Sequence, residues 1–227
     1  MVETPEILFN DNELIVFNKP AGLLSIRDPR HPHERTALDA ASELLKGAKV
    51  FPVHRLDKET SGVLIVARTP AAQRRMSGIM RERKVRKIYL ALVKGEVKKN
   101  NKIDLPILRT PSGKVRIDKT GKPSLTVYRI RRRFPGYTLL EVEPKTGRTH
   151  QIRVHLARVG HPVVNDRVYG NRRTLRIERE GEEPFTSKRI MLHSSDVLFT
   201  YWKSGSSLHL RAPLPPSFEQ VLEKLSG

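Results

Sequence analysis

The sequence HRLDKETSG at residues 54–62 runs directly into the apolar segment VLIVA at residues 63–67. A short apolar segment bounded by polar and glycine residues is typical of a buried β-strand. We therefore expect Asp57 to lie in a polar turn just before a buried strand. A carboxylate held there is a candidate nucleophile, although aspartates in turns more often only close or cap the turn.

A second polar segment, KTGRTHQIRVHL at residues 145–156, is dense in cations and hydrogen-bonding side chains. From Thr149 onward its apolar residues recur at helical spacing, which predicts a helix. Gln151, Arg153 and His155 cannot all lie on one face of that helix. The segment is a candidate partner for the carboxylate of the first segment.

The rest of the chain predicts a mixed, strand-rich α+β fold. One helix is predicted from Leu38 to Leu45 after the capping-box pair Thr36 and Asp39, and another after Thr69-Pro70. Strand patterns and a terminal helix fill most of the remainder. The predicted strands lie at residues 7–9, 14–17, 88–93, 114–117, 125–130, 137–142, 197–202 and 208–211, and the terminal helix lies at residues 218–225.

The charge of the chain is strongly unbalanced, since 43 lysines and arginines against 24 aspartates and glutamates give a formal net charge of +19. Such an excess favours polyanions, and nucleic acid is the leading candidate partner. A basic surface that is merely solvated is the alternative.

Several classes of chemistry are excluded or not expected. The absence of cysteine excludes disulfides, thiolate nucleophiles and cysteine-ligated metal centres. His150 and His155 do not have the spacing of a zinc site, and no phosphate-loop motif is present, so neither a metal nor ATP is expected. The first residues lack the pattern of a signal peptide, and no long apolar run occurs. We expect a soluble, cytoplasmic protein without membrane association.

Together, residues 54–62 and 145–156 resemble the motifs HRLD-x-x-TSG and GR-T/S-HQ-I/L-RVH of the RluA-type pseudouridine synthases. The resemblance implies the pseudouridine synthase fold, in which helices flank a central, bent, mainly antiparallel sheet, formed here by one catalytic domain over residues 1–227. Because the first matching motif begins near residue 14, we expect the short form without the N-terminal RNA-binding domain. Further matching segments are NKPAGL at residues 18–23, KIYLALV at 87–93, GHP at 160–162 and RIMLH at 189–193.

The resemblance also implies roles for three residues. Asp57 matches the catalytic aspartate, Arg153 the basic residue that pairs with it, and Tyr89 the tyrosine that packs against the target base. A nearby guanidinium would keep a carboxylate ionised in a water-poor site. Without the resemblance, Tyr89 is most simply a core aromatic residue and Arg153 a solvated helix residue.

Five further residues are expected to contact or support the RNA: Arg55, His54, Lys19, Arg148 and His150. Arg55 resembles the arginine that inserts beside a flipped-out nucleotide, and an ordinary phosphate contact or salt bridge is the alternative. His54 and His150 are expected to brace the site. Lys19 is also interpreted as a residue that shapes a loop rather than one that reacts.

One turn departs from the family pattern. The sequence VVND at residues 163–166 replaces a turn that usually contains Gly-Asp, and Asn165 is expected to tolerate the left-handed backbone there. We expect the change to leave the catalytic positions untouched. Ser194 stands where alanine is common, and no function is expected for it.

The implied activity is the isomerisation of a specific uridine to pseudouridine in structured RNA, either tRNA or large-subunit rRNA. No cofactor is expected, because nothing is added or lost. The alternative is a non-catalytic RNA-binding or ribosome-assembly protein on the same fold, since arginine-rich runs such as residues 129–133 fit both. A monomer is expected, because no exposed apolar stripe stands out.

Overall fold

The computed structural model describes residues 4–29, 32–170, 174–179, 181 and 183–227. Its mixture of four helices and fourteen strands in these residues confirms the predicted α+β class. Residues 1–3 of the N-terminal segment interpreted above lie outside the described part. The helices are α1 (Ala37–Leu44), α2 (Pro70–Arg81), α3 (Gln151–Arg158) and α4 (Pro216–Ser226). The strands are β1 (Glu6–Asn10), β2 (Leu14–Lys19), β3 (Phe51–Pro52), β4 (Ser61–Ala67), β5 (Arg86–Lys94), β6 (Asn101–Asp104), β7 (Ile107–Arg109), β8 (Val115–Ile117), β9 (Leu125–Phe134), β10 (Tyr137–Pro144), β11 (Leu175–Ile177), β12 (Phe185–Ser187), β13 (Leu192–Thr200) and β14 (Ser207–Arg211).

The chain divides into two compact units. The first unit comprises Met1–Lys87 with Ser194–Leu214, and the second comprises Ile88–His193 with Pro215–Gly227. The expectation of a single catalytic domain over the whole chain stays a prediction.

The first unit is built on a sheet in the order β1-β2-β4-β13, with β3 also paired to β4 and β14 to β13. The pairs β1–β2, β2–β4, β3–β4 and β13–β14 are antiparallel. Strand β4 is buried along its whole length, which confirms the buried strand predicted at residues 63–67. It is covered on both faces, because Ile65 packs in one core cluster with Met76 of α2 and Val66 in another with Ala41 of α1.

The first two helices begin at the residues that the sequence indicates. Thr36 caps α1 in a reciprocal capping box, in which Asp39 N–H donates to Thr36 Oγ1 and Thr36 N–H donates to Asp39 Oδ2. Thr69 caps α2 by accepting a hydrogen bond from the backbone of Ala72, and Pro70 occupies the first turn, where its missing N–H costs nothing. Both predicted helices are confirmed.

The second unit contains a sheet in the order β5-β10-β9-β6. The β10–β9 pairing carries a bulge, because Leu139 pairs with Arg132 whereas Leu140 pairs with Ile130. Arg131 is therefore the extra residue of β9. The same unit contains the two-stranded sheets β7–β8 and β11–β12.

Helix α3 is buried from its first residue, and its polar side chains find partners inside the second unit. Gln151 Nε2 donates to Thr126 Oγ1 at 3.0 Å, and the His155 ring bonds the same hydroxyl through Nδ1 at 2.9 Å and the Leu105 carbonyl through Nε2 at 2.9 Å. Arg153 binds elsewhere, as described below. Gln151, Arg153 and His155 thus do not all lie on one face of the helix, as predicted. Burial lowers the pKa of His155.

No helix within the described ranges is both long and apolar enough to span a membrane.

Candidate active site

The turn that carries Asp57 is held by a loop of the first unit on both sides of the carboxylate. The Ser25 hydroxyl accepts from the Leu56 N–H at 3.0 Å and donates to the Leu56 carbonyl at 2.9 Å. The Lys58 carbonyl accepts from the Gly22 N–H at 2.9 Å. Asp57 itself is half-buried. The backbone around Asp57 is therefore fixed by neighbours on each side, as a reacting group needs for accurate positioning.

Lys19 contributes to this fixation from inside the protein. Its side chain is fully buried, and its ammonium donates to the carbonyls of Pro20 and Leu23 at 2.8 Å each and of Lys58 at 3.1 Å. A buried ammonium whose donors point at protein carbonyls is not available to a phosphate. Lys19 therefore shapes the loop, as predicted. The direct RNA contact that was also predicted for Lys19 does not agree with its burial.

The glycine of the TSG motif allows a close approach of two strands in the first unit. Gly62 has a φ of +111°, and a Cβ at this position would lie 2.1 Å from the carbonyl oxygen of Ser194. Only glycine fits, because the backbone is left-handed and the space for a side chain is taken. The residue thus fixes the path of the chain from the Asp57 turn into β4.

His54 and Arg55 precede the turn and differ in exposure. The Nε2 of His54 accepts from the Ile65 N–H at 3.0 Å, and burial, aided by the positive charge of Lys87, lowers the pKa of His54 to about 3. His54 is thus neutral near neutral pH and ties the segment to β4, in agreement with a bracing role. Arg55 is exposed.

In the second unit, Tyr89 lies in β5 opposite Val142 of β10 and is half-buried. A half-buried ring in a paired strand is held firmly while part of it remains accessible. This is compatible with stacking on a base.

His150 stands immediately before α3 in a left-handed conformation, with φ of 53°. Such a conformation is uncommon outside glycine and is often found at functional positions. The His150 Nδ1 lies 2.8 Å from the Tyr169 hydroxyl. The nearby Arg148 is directed toward the Pro123 carbonyl, which its Nη2 approaches at 3.3 Å.

Arg153 forms a buried, two-pronged ion pair with Asp166. Its Nε donates to Asp166 Oδ2 at 2.7 Å and its Nη2 to Oδ1 at 2.9 Å. Burial alone would raise the pKa of Asp166, but the bonds and charge of Arg153, with the N–H groups of Val168 and Tyr169, hold that pKa below its usual value. The guanidinium also lies 5.2 Å from the centre of the Tyr169 ring. Arg153 is therefore charged and tightly oriented.

The turn at residues 163–166 explains how this pair forms. Asn165 adopts φ of 64°, which confirms the left-handed backbone expected there, and its side-chain amide donates to the Ser187 and Arg189 carbonyls. The next residue, Asp166, binds Arg153. The expectation that Asn165 in this turn leaves the catalytic positions untouched stays a prediction. The aspartate that follows it, Asp166, supplies the carboxylate that orients Arg153.

The structure thus assembles two groups of candidate residues, one in each unit. Asp57, His54, Arg55 and Lys19 belong to the first unit, and Tyr89, Arg148, His150 and Arg153 to the second. The pairing of Asp57 with Arg153 stays a prediction. Sequence reasoning missed Tyr169 and the role of Asp166, for which the only signal was their position shortly after the GHP motif. Among the described residues, no cluster of side chains could hold a metal ion.

Comparisons with known proteins agree with this fold and these motifs. A model of the RNA pseudouridylate synthase family matches residues 13–158. The chain is 37% identical over 231 residues to ribosomal large subunit pseudouridine synthase D of Nitrosomonas europaea, covering 97% of this chain and 65% of that protein. It is 36% identical to ribosomal large subunit pseudouridine synthase C of Buchnera aphidicola, covering 96% of this chain and 70% of the relative.

A solved structure, human RNA pseudouridylate synthase domain containing 4, matches with a TM-score of 0.76 at 25% identity and covers 97% of this chain and 92% of that one. The chain therefore belongs to the RNA pseudouridylate synthase family. It spans just under two thirds of the length of the Nitrosomonas relative.

Proposed function

We propose that this chain isomerises a uridine of large-subunit ribosomal RNA to pseudouridine, with Asp57 as the catalytic carboxylate. The observation that carries the proposal is the Asp57 turn, which is fixed on both sides by Ser25, Gly22 and Lys19 in a member of the pseudouridylate synthase family. A binding protein has no need of a carboxylate positioned in this way.

The reaction breaks the bond between ribose and base, turns the base, and rejoins the sugar to carbon 5. No atom is gained or lost, so the residues of the chain can supply all of the chemistry. Asp57 acts as nucleophile or electrostatic stabiliser, and Tyr89 stacks on the base while it turns. Asp166 orients the guanidinium of Arg153. We assign to this cation the role of keeping the Asp57 carboxylate ionised when water is excluded.

A uridine in folded RNA must leave its stack before these residues can reach it. Arg55 is exposed beside the Asp57 turn and is the residue that we assign to the space left by the flipped nucleotide. His54 and His150 support the backbone on which the reacting residues stand, and Arg148 contributes positive charge near the start of α3. The net charge of +19 supports RNA as the partner.

The choice of large-subunit rRNA rests on the two bacterial relatives, both named ribosomal large subunit pseudouridine synthases. A tRNA substrate is the second candidate and is tested in the same experiment. RNA labelled with tritium at uracil carbon 5 loses its label when the base is rejoined through that carbon. Large-subunit rRNA and total tRNA, both unmodified, are offered separately.

The decisive variant is Asp57→Asn, and the matched control is Glu59→Gln, which removes an exposed carboxylate two residues away. We expect tritium release from rRNA by the native chain and the control, and none by Asp57→Asn. Release by Asp57→Asn at the native rate would refute the catalytic role. Tight rRNA binding without release by any form would support the non-catalytic assembly protein instead.

A further inference from the structure

We propose that an open groove of the second unit, which we term the basic groove, binds the phosphate backbone of the RNA. The inference rests on the proposed function, since it takes RNA as the partner, and it assigns a binding surface to part of the arginine-rich run at residues 129–133. The groove has a volume of about 580 Å³. It is lined by Lys98, Lys99, Asn100, Ile130, Arg131, Arg132 and Arg133.

The charge of the basic groove is largely uncompensated. Five of its seven lining residues are cations and none is acidic. Arg131 binds Glu141, a residue of β10. Within the described ranges, the other four cations form no ion pair. Like charges that line one groove repel one another, and a polyanion bound in the groove removes that repulsion.

The Arg133 side chain is held in place before any RNA arrives. Arg133 donates through Nε to the Val97 carbonyl at 3.2 Å and through Nη2 to the Lys98 carbonyl at 3.1 Å. The Val97 N–H donates to Thr138 Oγ1 at 3.0 Å. Both partners of Arg133 are neutral carbonyls, so its charge is oriented without being neutralised. The segment that carries the lysines is thereby fixed to the strands that carry the arginines.

The path of β9 gives the arginines their arrangement. The β6 strand pairs with β9 only as far as Tyr128, and beyond that point the Ile130 N–H donates to Asn100 Oδ1 at 2.8 Å. The bulge at Arg131 then changes the alternation of side chains along the strand. Arg132 lies with its guanidinium 5.0 Å from the centre of the Phe134 ring. Guanidinium groups fixed in this way present planar pairs of donors, which suit phosphate oxygens.

The test variant replaces Lys98, Lys99 and Arg132 with glutamine. These three side chains are exposed, and their removal leaves the carbonyl bonds of Arg133 intact. Binding to a large-subunit rRNA transcript is measured over a series of salt concentrations. Each phosphate contact contributes a slope of about 0.7 in log affinity against log salt, so three contacts amount to on the order of 100-fold at about 0.1 M salt. We expect the test variant to bind the transcript on the order of 100-fold more weakly than the native chain at about 0.1 M salt. The slope of its log affinity against log salt should be smaller by about 2, so that the two affinities converge near 1 M salt.

The control variant removes the same charge elsewhere by changing Lys49, Arg158 and Lys188 to glutamine. Lys49 lies over the Phe51 ring at 5.6 Å and so also matches the ring contact of Arg132. We expect the control to retain native affinity. An equal loss in both variants would overturn the proposal, because net charge alone would then explain it. Unchanged RNA affinity of the test variant would overturn the proposal as well.

Tritium release under single-turnover conditions separates this inference from the proposed function. At saturating enzyme, the groove variant should release tritium at the native rate, because its reacting residues are unchanged. If the native chain itself released none while the groove variant still bound RNA weakly, the proposed function would fail and the basic groove would stand.

Discussion

Replacing Asp166 with asparagine tests the buried ion pair on which the orientation of Arg153 depends. Asp166 is 1% exposed and Arg153 is 7% exposed, and two hydrogen bonds join them at 2.7 and 2.9 Å. Removing one member of such a pair leaves the other charge buried and costs about 3–5 kcal/mol of stability. Asparagine retains an oxygen for the N–H groups of Val168 and Tyr169, so the loss is attributable to the contact with Arg153, where the negative charge disappears and an amide N–H2 replaces the oxygen that accepts from Arg153 Nε.

The free energy of unfolding is measured by urea titration at neutral pH, and the thermal midpoint by calorimetry. For a chain of this length, 3–5 kcal/mol corresponds to a fall of about 6–20 °C in Tm. The double variant Asp166→Leu with Arg153→Met removes both charges and should be more stable than Asp166→Asn alone, although inactive. A loss below about 1 kcal/mol for Asp166→Asn would refute the reasoning, since a solvated pair is worth no more than that.

The same pair sets a pH dependence. The pKa of Asp166 is lower in the folded protein than in the unfolded chain, despite the burial that raises it. Its contribution to stability is therefore complete above the unfolded pKa of about 3.9 and is lost as pH falls through the folded value. The native chain should lose stability below about pH 4 more steeply than Asp166→Asn does. Parallel acid-unfolding curves for the two proteins would contradict this.

Further predictions concern the first unit. Gly62→Ala should cost at least about 2 kcal/mol from backbone strain and overlap with Ser194, and an unchanged thermal midpoint would contradict this. Ser194→Ala should add about 1 kcal/mol, because the buried Ser194 hydroxyl finds no partner within the described residues, whereas a loss would reveal an unrecognised bond. Lys19→Met should lower stability by several kcal/mol, because the Pro20 and Leu23 carbonyls lose the ammonium donor and the Lys58 carbonyl keeps only the Gly22 N–H, and a neutral effect on unfolding would be inconsistent with the buried ammonium. His54, with its pKa lowered to about 3, should stay neutral in an NMR titration down to about pH 5, and protonation near pH 6.5 would contradict its burial.

Local signals in the sequence were sufficient for many elements of the fold. The capping box at Thr36 and the Thr69-Pro70 pair set the starts of α1 and α2, because helix caps are formed by neighbouring residues. The apolar run after the Asp57 turn set β4. By contrast, β6 was missed, because its sequence NKID is polar and the strand is recognisable only through its pairing with β9.

Residues of the candidate site could be predicted only where they fall in a sequence motif that resembles the family. Asp57, Tyr89 and Arg153 were assigned to the site by resemblance, and their catalytic roles stay predictions, whereas residue types alone favoured ordinary turn, core and surface roles for them. The partnership of Arg153 with Asp166 depends on the left-handed turn at Asn165, which returns the chain to α3. The full burial of Lys19 likewise depends on carbonyls that lie up to 39 residues away. Such tertiary contacts leave no periodic signal in a single sequence.

The most direct test is a nucleoside analysis of large-subunit rRNA incubated with the native chain, with Asp57→Asn or with Glu59→Gln. Pseudouridine and uridine have the same mass and are separated by chromatography, so the product is detected as itself. The native chain and Glu59→Gln should convert uridine to pseudouridine, and Asp57→Asn should bind the RNA with native affinity and convert none. Pseudouridine formed by Asp57→Asn at the native rate would contradict the assignment of the catalytic carboxylate.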